Sequence, residues 1–468
     1  MASASMNLIF MFSVILKGIG AILEVALQIL LTKFIGLDGY GSYSTWISGA
    51  DLLFWVFFSG LVKCNTYYLS RGSSSLSHFK KIYYIRYMLP LAAVSGLTLI
   101  LFKQPAFCIV LAITIAETFT MDQSSTLLAR GSYLSSLTGE YILGRLFLVL
   151  GVCLLGLTGH LDLGKTIVLY LIQYVLVFLF FLYRQAESSI KSNTTGNKKD
   201  ISDTVSIPKL LQYQRSDIMQ SMIGQLPVIL QYFFVGAFEA GIVSIVLLVK
   251  KLINFVSGPT AKIFLPEFSR LYQAGDKKKL ASSFSMIMRI QMLFAGPLAV
   301  VLTGYPQVIL KFLAKEMLTQ TGLFIGCSVV FLFAATLGPC GGLMQMTDHE
   351  KADNICREAA ILLMLLVFAV MHRNPLFALY GLCIQTFAES FSKFIFVCKW
   401  FGYIPVKIRT YVSWWILPGF CILITYLFNL HSSILMMLLM SGCVFLFRLV
   451  MEFRSDNDLF RLLASKKK

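Results

Sequence analysis

Charged residues are scarce in this sequence, and acidic residues are the scarcer kind. Asp, Glu, Lys and Arg make up 13% of the 468 residues, whereas soluble domains carry about a quarter. The chain has 23 Asp and Glu against 40 Lys and Arg. Hydrophobic residues make up 57% of it and follow one another in long runs. This composition excludes an ordinary soluble domain and predicts a protein that lies in a membrane.

The chain also lacks the motifs of several common function classes. Its 10 Cys residues form no Cys-x-x-Cys motif and have no His at metal-ligand spacing, so we predict no metal site, disulfide framework or cofactor. Residues 1–12 contain no charged n-region and no small-residue cleavage site, so the first apolar segment is predicted to stay in the mature protein. The excess positive charge fits an anionic membrane surface and gives no reason to expect nucleic acid.

Helices account for the apolar runs better than a β-barrel does. A helix needs about 20 mostly apolar residues to span a bilayer, whereas a barrel shows alternating strands of about 10 residues. The runs here are long and continuous, which predicts an all-α polytopic membrane protein with about fourteen transmembrane helices. The predicted spans cover residues 10–36, 44–69, 82–102, 106–130, 141–160, 164–184, 218–236, 239–265, 284–311, 320–346, 357–372, 376–400, 412–430 and 433–453.

The positions of the basic residues predict the orientation of the chain. Lys and Arg gather in every second gap between the spans and at the adjoining span ends, Lys80 and Arg357 among them, and few fall in the other gaps. Because cytoplasmic loops carry an excess of Lys and Arg, both termini are predicted to be cytoplasmic. The predicted outside loops hold only Lys33, Lys103, Lys165, Lys311, Lys315 and Arg373.

The two halves of the chain resemble each other around one turn. Segment 34–44, with the sequence FIGLDGYGSYS, aligns with segment 234–244, FVGAFEAGIVS, so that the Phe, two Gly and the final Ser coincide. Each segment lies between the first two spans of its half, and an even number of spans per half makes the repeat parallel. The predicted domains are a six-helix lobe at 1–184, a cytoplasmic linker at 185–206, a second six-helix lobe at 207–400, and an additional helix pair with a basic tail at 401–468.

A few charged residues fall inside the predicted spans, where charges are costly and normally face a cavity or each other. The neighbours Lys250 and Lys251 point about 100° apart on a helix, so one of them is predicted to face a cavity. Structural pairing is the alternative interpretation, and the spacing of Glu389 and Lys393 predicts an internal ion pair. The predicted cavity cations are Lys17, Lys63, Arg145, Lys250 and Lys251.

Three short stretches resemble a family of transporters. The turn at 34–44 resembles the one that opens polysaccharide-export flippases, and 265–279 resembles the Pro-x-hydrophobic-Ser-x-Leu-x-x-x-Gly-Asp segment after their eighth helix. The stretch 341–348 is similar to the end of their tenth helix, although the usual glycine of the following turn is absent. The chain thus resembles Wzx-type O-antigen and capsule repeat-unit flippases of the multidrug/oligosaccharidyl-lipid/polysaccharide (MOP) exporter superfamily. Its last helix pair resembles the fourteen-helix lipid II flippase branch instead.

This resemblance implies a function and a set of partners. Such a protein flips undecaprenyl-pyrophosphate-linked oligosaccharide from the cytoplasmic to the periplasmic leaflet of the bacterial inner membrane, by alternating access between two lobes. Membrane lipids, a polysaccharide polymerase and a chain-length regulator are the implied partners. Cavity Lys and Arg would hold the pyrophosphate. Acidic residues suit coupling to Na⁺ or H⁺, because a change in their charge can shift a conformational equilibrium; the candidates are Glu24, Asp51, Glu117 and Asp122.

Three alternatives remain open at this point. A lipid II flippase also needs a cationic cavity, whereas a MATE-type multidrug antiporter favours acidic and aromatic residues because its substrates are often cations. An enzyme acting on lipid-linked sugars needs a large periplasmic loop for its catalytic groups. The predicted outside loops are short, so we predict that the protein is not an enzyme.

Overall fold

The protein is built from helices. The computed structural model describes residues 2–70, 76–102, 106–130, 132–192, 207–406 and 408–454, and these residues form helices and turns with no strand. The all-α prediction is therefore confirmed. The helices are α1 (Ala2–Phe57), α2 (Ser59–Ser70), α3 (Leu76–Phe102), α4 (Ala106–Ala129), α5 (Tyr133–Thr138), α6 (Gly144–Leu157), α7 (Leu163–Ser192), α8 (Ile207–Phe234), α9 (Ala237–Gln273), α10 (Lys277–Ala299), α11 (Pro306–Leu313), α12 (Thr321–Thr336), α13 (Cys340–Met346), α14 (Glu350–Met371), α15 (Phe377–Phe401), α16 (Ile408–Leu427) and α17 (Ile434–Arg454).

Each predicted span overlaps one of these helices or a broken pair of them. Gly139–Leu143 and Val300–Gly304 are π-helical, and Lys315–Gln320 is a 3₁₀ helix. The helix is broken at the Gly338–Gly342 stretch, because α12 ends two residues before Gly338, whose φ is 88°. Within the described residues, nine helical stretches are long and apolar enough to cross a membrane. The count of fourteen stays a prediction.

Large apolar side chains cover the outer faces of several helices. On α14, Leu362, Leu366 and Val370 are 66%, 60% and 74% exposed, and their spacing of four puts them on one face. An apolar stripe of this kind would be a liability in water, whereas in a bilayer it faces lipid. With the repeated apolar helices, this surface makes the chain a multi-pass membrane protein.

The described chain forms two compact units, Met1–Ser244 and Ile245–Lys468. The boundary falls inside α9, and α8 belongs to the first unit. At the predicted linker, α7 continues to Ser192, while 193–206 lies outside the described residues. The division into two six-helix lobes remains a prediction.

The repeated turn found in the sequence is also a point of contact in the first unit. Gly36 and Gly236 both have positive φ, at 71° and 151°, which allows the chain to bend at each. A Cβ atom on Gly41 would overlap the carbonyl oxygen of Ala237, and one on Gly241 would lie 2.6 Å from that of Leu37. Only glycine permits this approach of two backbones.

A hydrogen bond completes this contact one turn further on. Ser44 Oγ donates to Ser244 Oγ at 2.6 Å, so the last residue of each repeat segment meets its counterpart. The contact is reciprocal, as expected where two copies of one motif face each other about a local two-fold axis. We call the pairs Gly41–Gly241 and Ser44–Ser244 the repeat crossing.

The core of the second unit lies between α9, α10 and α13. Phe268, Phe284, Ile287 and Leu343 are fully buried there, and Trp414 of α16 packs against them. Along α16, Thr425 Oγ1 donates to the Tyr305 hydroxyl at 3.3 Å. The additional helix pair is therefore packed into this unit rather than appended to it.

The turn from α9 to α10 explains one stretch that resembles the flippases. Gly275 adopts φ 70°, and Asp276 caps α10 by accepting a hydrogen bond from the backbone N of Lys279 at 3.1 Å. This bond and the neighbouring Lys279 side chain lower the pKa of the Asp276 carboxyl. The Gly-Asp pair of the motif thus stops one helix and starts the next.

The repeat crossing predicts that Gly41→Ala destabilises the protein. The added methyl group meets backbone atoms that cannot move aside, so the melting temperature in detergent, followed by tryptophan fluorescence, should fall by roughly 5 °C or more. Gly224→Ala is the matched control, because a Cβ there meets nothing within 4 Å. Equal melting temperatures for the two variants would contradict the prediction.

Candidate functional site

Two predicted cavity cations lie close to the Tyr141 ring in the first unit. Arg145 Nη2 lies 3.0 Å from Glu24 Oε2, and both side chains are half-buried. The Arg145 guanidinium is 5.3 Å from the centre of the Tyr141 ring, and Lys17 Nζ is 5.7 Å from it. Glu140 lies next to Tyr141 and accepts a hydrogen bond from Ser124. We call Lys17, Glu24, Glu140, Tyr141 and Arg145 the Arg145 cluster.

Local backbone features bring this cluster together. A Cβ atom on Gly20 would lie 2.8 Å from the Tyr141 carbonyl oxygen and 2.9 Å from Arg145 Nη1, so glycine lets α1 approach the segment that carries both residues. Glu140 and Tyr141 belong to the π-helical stretch Gly139–Leu143. The wider π turn shifts the helix register there, and such turns are common at functional sites.

A second acidic group lies deeper in the first unit. Asp51 Oδ2 accepts a hydrogen bond from Gln225 Nε2 at 2.9 Å. Glu117 is 5% exposed, and its Oε2 atom has no hydrogen-bond partner in the described part of the chain. The two carboxyl groups are close enough for their charges to interact, and the hydroxyls of Tyr170 and Tyr174 are 3.3 Å apart nearby. A buried carboxyl with an unsatisfied oxygen favours a bound proton or cation.

Asp122 has a different environment from these two acids. Its Oδ1 atom lies 2.6 Å from Lys80 Nζ and accepts a hydrogen bond from Asn65 Nδ2 at 3.1 Å. Lys80 was taken from the sequence only as a cytoplasmic charge that orients the protein. The ion pair gives Asp122 a structural partner, so coupling through this residue remains a prediction with less geometric support.

Two of the other predicted cavity cations belong to the second unit. Lys250 lies in the second unit, where its Nζ donates to Thr386 Oγ1 at 2.8 Å and stands 5.5 Å from the centre of the Phe331 ring. Its neighbour Lys251 is exposed. The side chain of Lys63 lies outside the described residues.

Four buried charges form an ion network between α14 and α15. Lys393 Nζ lies 2.6 Å from Glu389 Oε1, which confirms the predicted internal pair, and 2.7 Å from Asp353 Oδ1. Arg357 reaches Glu389 at 3.3 Å and Asp353 at 3.5 Å. The Asp353 and Lys393 side chains are only 1% and 6% exposed. We call these four residues the second-unit ion network.

Sequence reasoning found only half of this network. Arg357 was counted among the cytoplasmic charges that orient the chain, and Asp353 was not considered. The spacing of Asp353 and Arg357 repeats that of Glu389 and Lys393, and the two pairs lie on consecutive spans. Two such pairs on adjacent helices can close into a ring, which was the available signal.

A cavity of about 440 Å³ lies beside this network within the second unit. Its size falls in the range of about 300–1,000 Å³ that is typical of small-molecule sites. Its lining combines charged, amide and hydroxyl side chains with the broken helix at Gly338. The residues that concern its chemistry are Lys250, Gln291, Arg357, Thr386, Glu389 and Lys393.

The ion network predicts that removing one charge destabilises the protein much more than removing two opposite charges together. Lys393→Met leaves Asp353 and Glu389 to share Arg357 in a buried environment, which should cost about 3–5 kcal/mol of unfolding free energy. The double variant Asp353→Leu/Lys393→Met keeps the balanced Arg357–Glu389 pair and should regain most of that loss. Unfolding in detergent measures both. A double variant as unstable as Lys393→Met would show that charge balance is not what stabilises this site.

Comparison with known proteins locates the fold among membrane transporters. No protein-family model and no curated protein matches the chain. Among solved structures, lipid II flippase MurJ in an inward closed conformation matches with a TM-score of 0.68 and 14% identity, over 95% of this chain and 99% of that one.

Two further structures of the MOP superfamily match a smaller part of the chain. An inward-facing multidrug resistance MATE family transporter has a TM-score of 0.60 and 11% identity, over 82% of this chain and 94% of that one. A MOP superfamily transporter from Pyrococcus furiosus has a TM-score of 0.55 and 13% identity, over 85% and 96%. The chain has the fold that the lipid II flippase and these transporters share.

Proposed function

We propose that the protein is a flippase for undecaprenyl-pyrophosphate-linked oligosaccharide units, which it moves from the cytoplasmic to the periplasmic leaflet for O-antigen or capsule synthesis. The observation that carries the proposal is the Arg145 cluster, which places two cations inside membrane-spanning helices. The match to a lipid II flippase over 95% of the chain supports a lipid-linked substrate. The protein would act in the bacterial inner membrane with both termini in the cytoplasm.

Arg145 and Lys17 are the groups that would hold the pyrophosphate. A guanidinium presents paired N–H donors that match phosphate oxygens, and an ammonium adds a mobile point charge. In a cavity with little water, both interactions are stronger than at an exposed surface. Contact with the Tyr141 ring restricts both side chains, which lowers the entropy cost of binding.

The Glu24–Arg145 ion pair suggests how binding and transport are linked. A pyrophosphate that takes Arg145 must displace Glu24 from its partner at 3.0 Å. Loss of this ion pair makes the uptake of H⁺ or Na⁺ by the Glu24 carboxylate more favourable. A ligand shifts a conformational equilibrium only when it binds the two states differently, and this exchange supplies such a difference.

Asp51 and Glu117 are the second coupling group that we propose. Their proximity disfavours two negative charges, so one proton or one cation between them stabilises the pair. The unsatisfied oxygen of Glu117 points to the same occupancy. These acidic and tyrosine side chains also favour an alternative function, that of a MATE-type antiporter for cationic compounds. The experiment must therefore distinguish the two functions.

Proteoliposomes with three fluorescent or fluorogenic probes distinguish these functions. The probes are a labelled undecaprenyl-pyrophosphate oligosaccharide, a labelled lipid II and ethidium. Flipping of the two lipid probes is measured by quenching the label from the outside, and transport of ethidium is measured as efflux. We expect flipping of the oligosaccharide probe. Flipping of lipid II alone would assign the protein to the alternative flippase class, and ethidium efflux without lipid flipping would assign it to the antiporters.

The role of Arg145 predicts that Arg145→Gln slows flipping of the oligosaccharide probe at least about tenfold. Loss of one hydrogen bond to a charged group costs about 1.5–3 kcal/mol, and 1.4 kcal/mol corresponds to a factor of ten. Arg184→Gln is the matched control, because Arg184 forms a comparable pair with Glu187 at 2.9 Å near the end of α7. Equal rates for the two variants would exclude Arg145 from the substrate path.

The role of Glu117 predicts that Glu117→Gln uncouples flipping from the ion gradient. The wild-type rate should rise with a gradient of either H⁺ or Na⁺, and the variant should lose that rise while keeping the basal rate, because a permanently neutral amide no longer takes up the ion. Asp122→Asn is the control, since Asp122 is already paired with Lys80. A full gradient response in Glu117→Gln would remove this residue from the coupling mechanism.

A further inference from the structure

We propose that the cavity of the second unit binds a hydroxyl-rich ligand with one negative charge, of the hexuronate class. The inference does not depend on the proposed flipping of lipid-linked substrates, because none of the residues that carry it belongs to the Arg145 cluster. It rests on the charge balance around the cavity, on a buried acceptor without a donor, and on the cavity's size.

The charge balance sets the net charge of the ligand. Among the described residues that line or adjoin the cavity, Arg357 and Lys393 are balanced by Asp353 and Glu389, and each cation lies within 3.5 Å of both carboxylates. Lys250 also lines the cavity but is bound to the neutral Thr386 hydroxyl and forms no ion pair within 4 Å in the described structure. One positive charge is left over, and a single anionic group on the ligand would balance it.

Lys250 is also a donor with spare capacity. An ammonium has three N–H bonds, and the Thr386 hydroxyl accepts one of them at 2.8 Å. The Phe331 ring, 5.5 Å away, fixes the direction of the side chain. A carboxylate can accept both remaining hydrogens and supply the missing negative charge at the same time.

Gln291, in contrast to Lys250, requires a ligand that donates a hydrogen bond. Its side chain lines the cavity and is 5% exposed, and its Oε1 atom has no hydrogen-bond donor in the described structure. A buried carbonyl oxygen without a donor is destabilising, so a ligand hydroxyl that donates to it is favoured. An inorganic anion without a hydroxyl group cannot satisfy this atom, and a cation cannot satisfy Lys250.

The ligand must therefore accept hydrogen bonds from Lys250 at one end and donate a hydrogen bond to Gln291 at another. A hexuronate does both, because it has a single carboxylate and several hydroxyl groups on one ring. A neutral hexose would leave Lys250 unbalanced, and a dianionic phosphate would bring more negative charge than the cavity offsets. The cavity volume of about 440 Å³ suits one or two sugar rings rather than a lipid chain.

Ligand binding to the purified full-length protein in detergent tests the proposal without any transport step. Saturation-transfer NMR titrations would use glucuronate, glucose and inorganic phosphate. We expect glucuronate to bind with a Kd near or below about 1 mM and glucose at least about tenfold more weakly. Absence of glucuronate binding up to about 10 mM, equal binding of glucose, or tighter binding of phosphate would each overturn the proposal.

Two variants connect the binding to this cavity. Lys250→Gln should weaken glucuronate at least about tenfold with glucose unchanged, because only the anion uses the charge. Gln291→Leu should weaken both sugars, because it removes a shared hydroxyl acceptor. Lys315→Gln, at an exposed position of the same unit, should change neither. Glucuronate binding that survives both cavity variants in folded protein, judged by the melting temperature, would place the ligand elsewhere and overturn the assignment.

Discussion

The approach of two helices at the repeat crossing is the constraint on which the first unit depends. Gly41 and Gly241 let the backbones meet, and the Ser44–Ser244 hydrogen bond holds the contact in register. In lipid there is little hydrophobic drive to bring helices together, so close backbone packing and polar contacts between helices carry more of the association. Small side chains repeat at this position in both halves for that reason. The same logic applies at Gly20, where α1 meets the π-helical segment and the Arg145 cluster forms.

Charges inside the membrane divide into two kinds in this protein. The second-unit ion network and the Lys80–Asp122 pair are satisfied by their own partners. Such closed sets specify how helices pack and have little capacity for a ligand. Other groups are only partly satisfied. Within the described part of the chain, Glu117 has an oxygen without a donor and Lys250 donates to a neutral hydroxyl without an ion pair within 4 Å, while the Glu24–Arg145 pair is half-buried. Partly satisfied charges are the ones that a substrate or a coupling ion can engage, and our proposals for both units rest on them.

The fold and part of the site were accessible from the sequence. The apolar runs predicted the helices, because helix formation depends on local composition. The i,i+4 spacing gave the Glu389–Lys393 pair for the same reason. The ion pairs of Arg357 and Lys80 were not predicted, because their partners Asp353, Glu389 and Asp122 include residues on other helices. A pattern along one helix does not reveal which neighbour will face it.

The sequence by itself determined the class of molecule. Backbone polar groups in lipid need partners within the protein, which leaves helices or a closed barrel, and the long continuous apolar runs suit helices rather than barrel strands. It also contained the repeat, because the two glycines and the serine recur in each half. Only the tertiary structure decided that these repeated residues touch, that Arg145 pairs with Glu24, and that Lys250 faces a cavity while Lys251 is exposed. The physical reason is that helix formation is a local property, whereas the pairing of charges depends on which helix faces are brought within a few ångströms of each other.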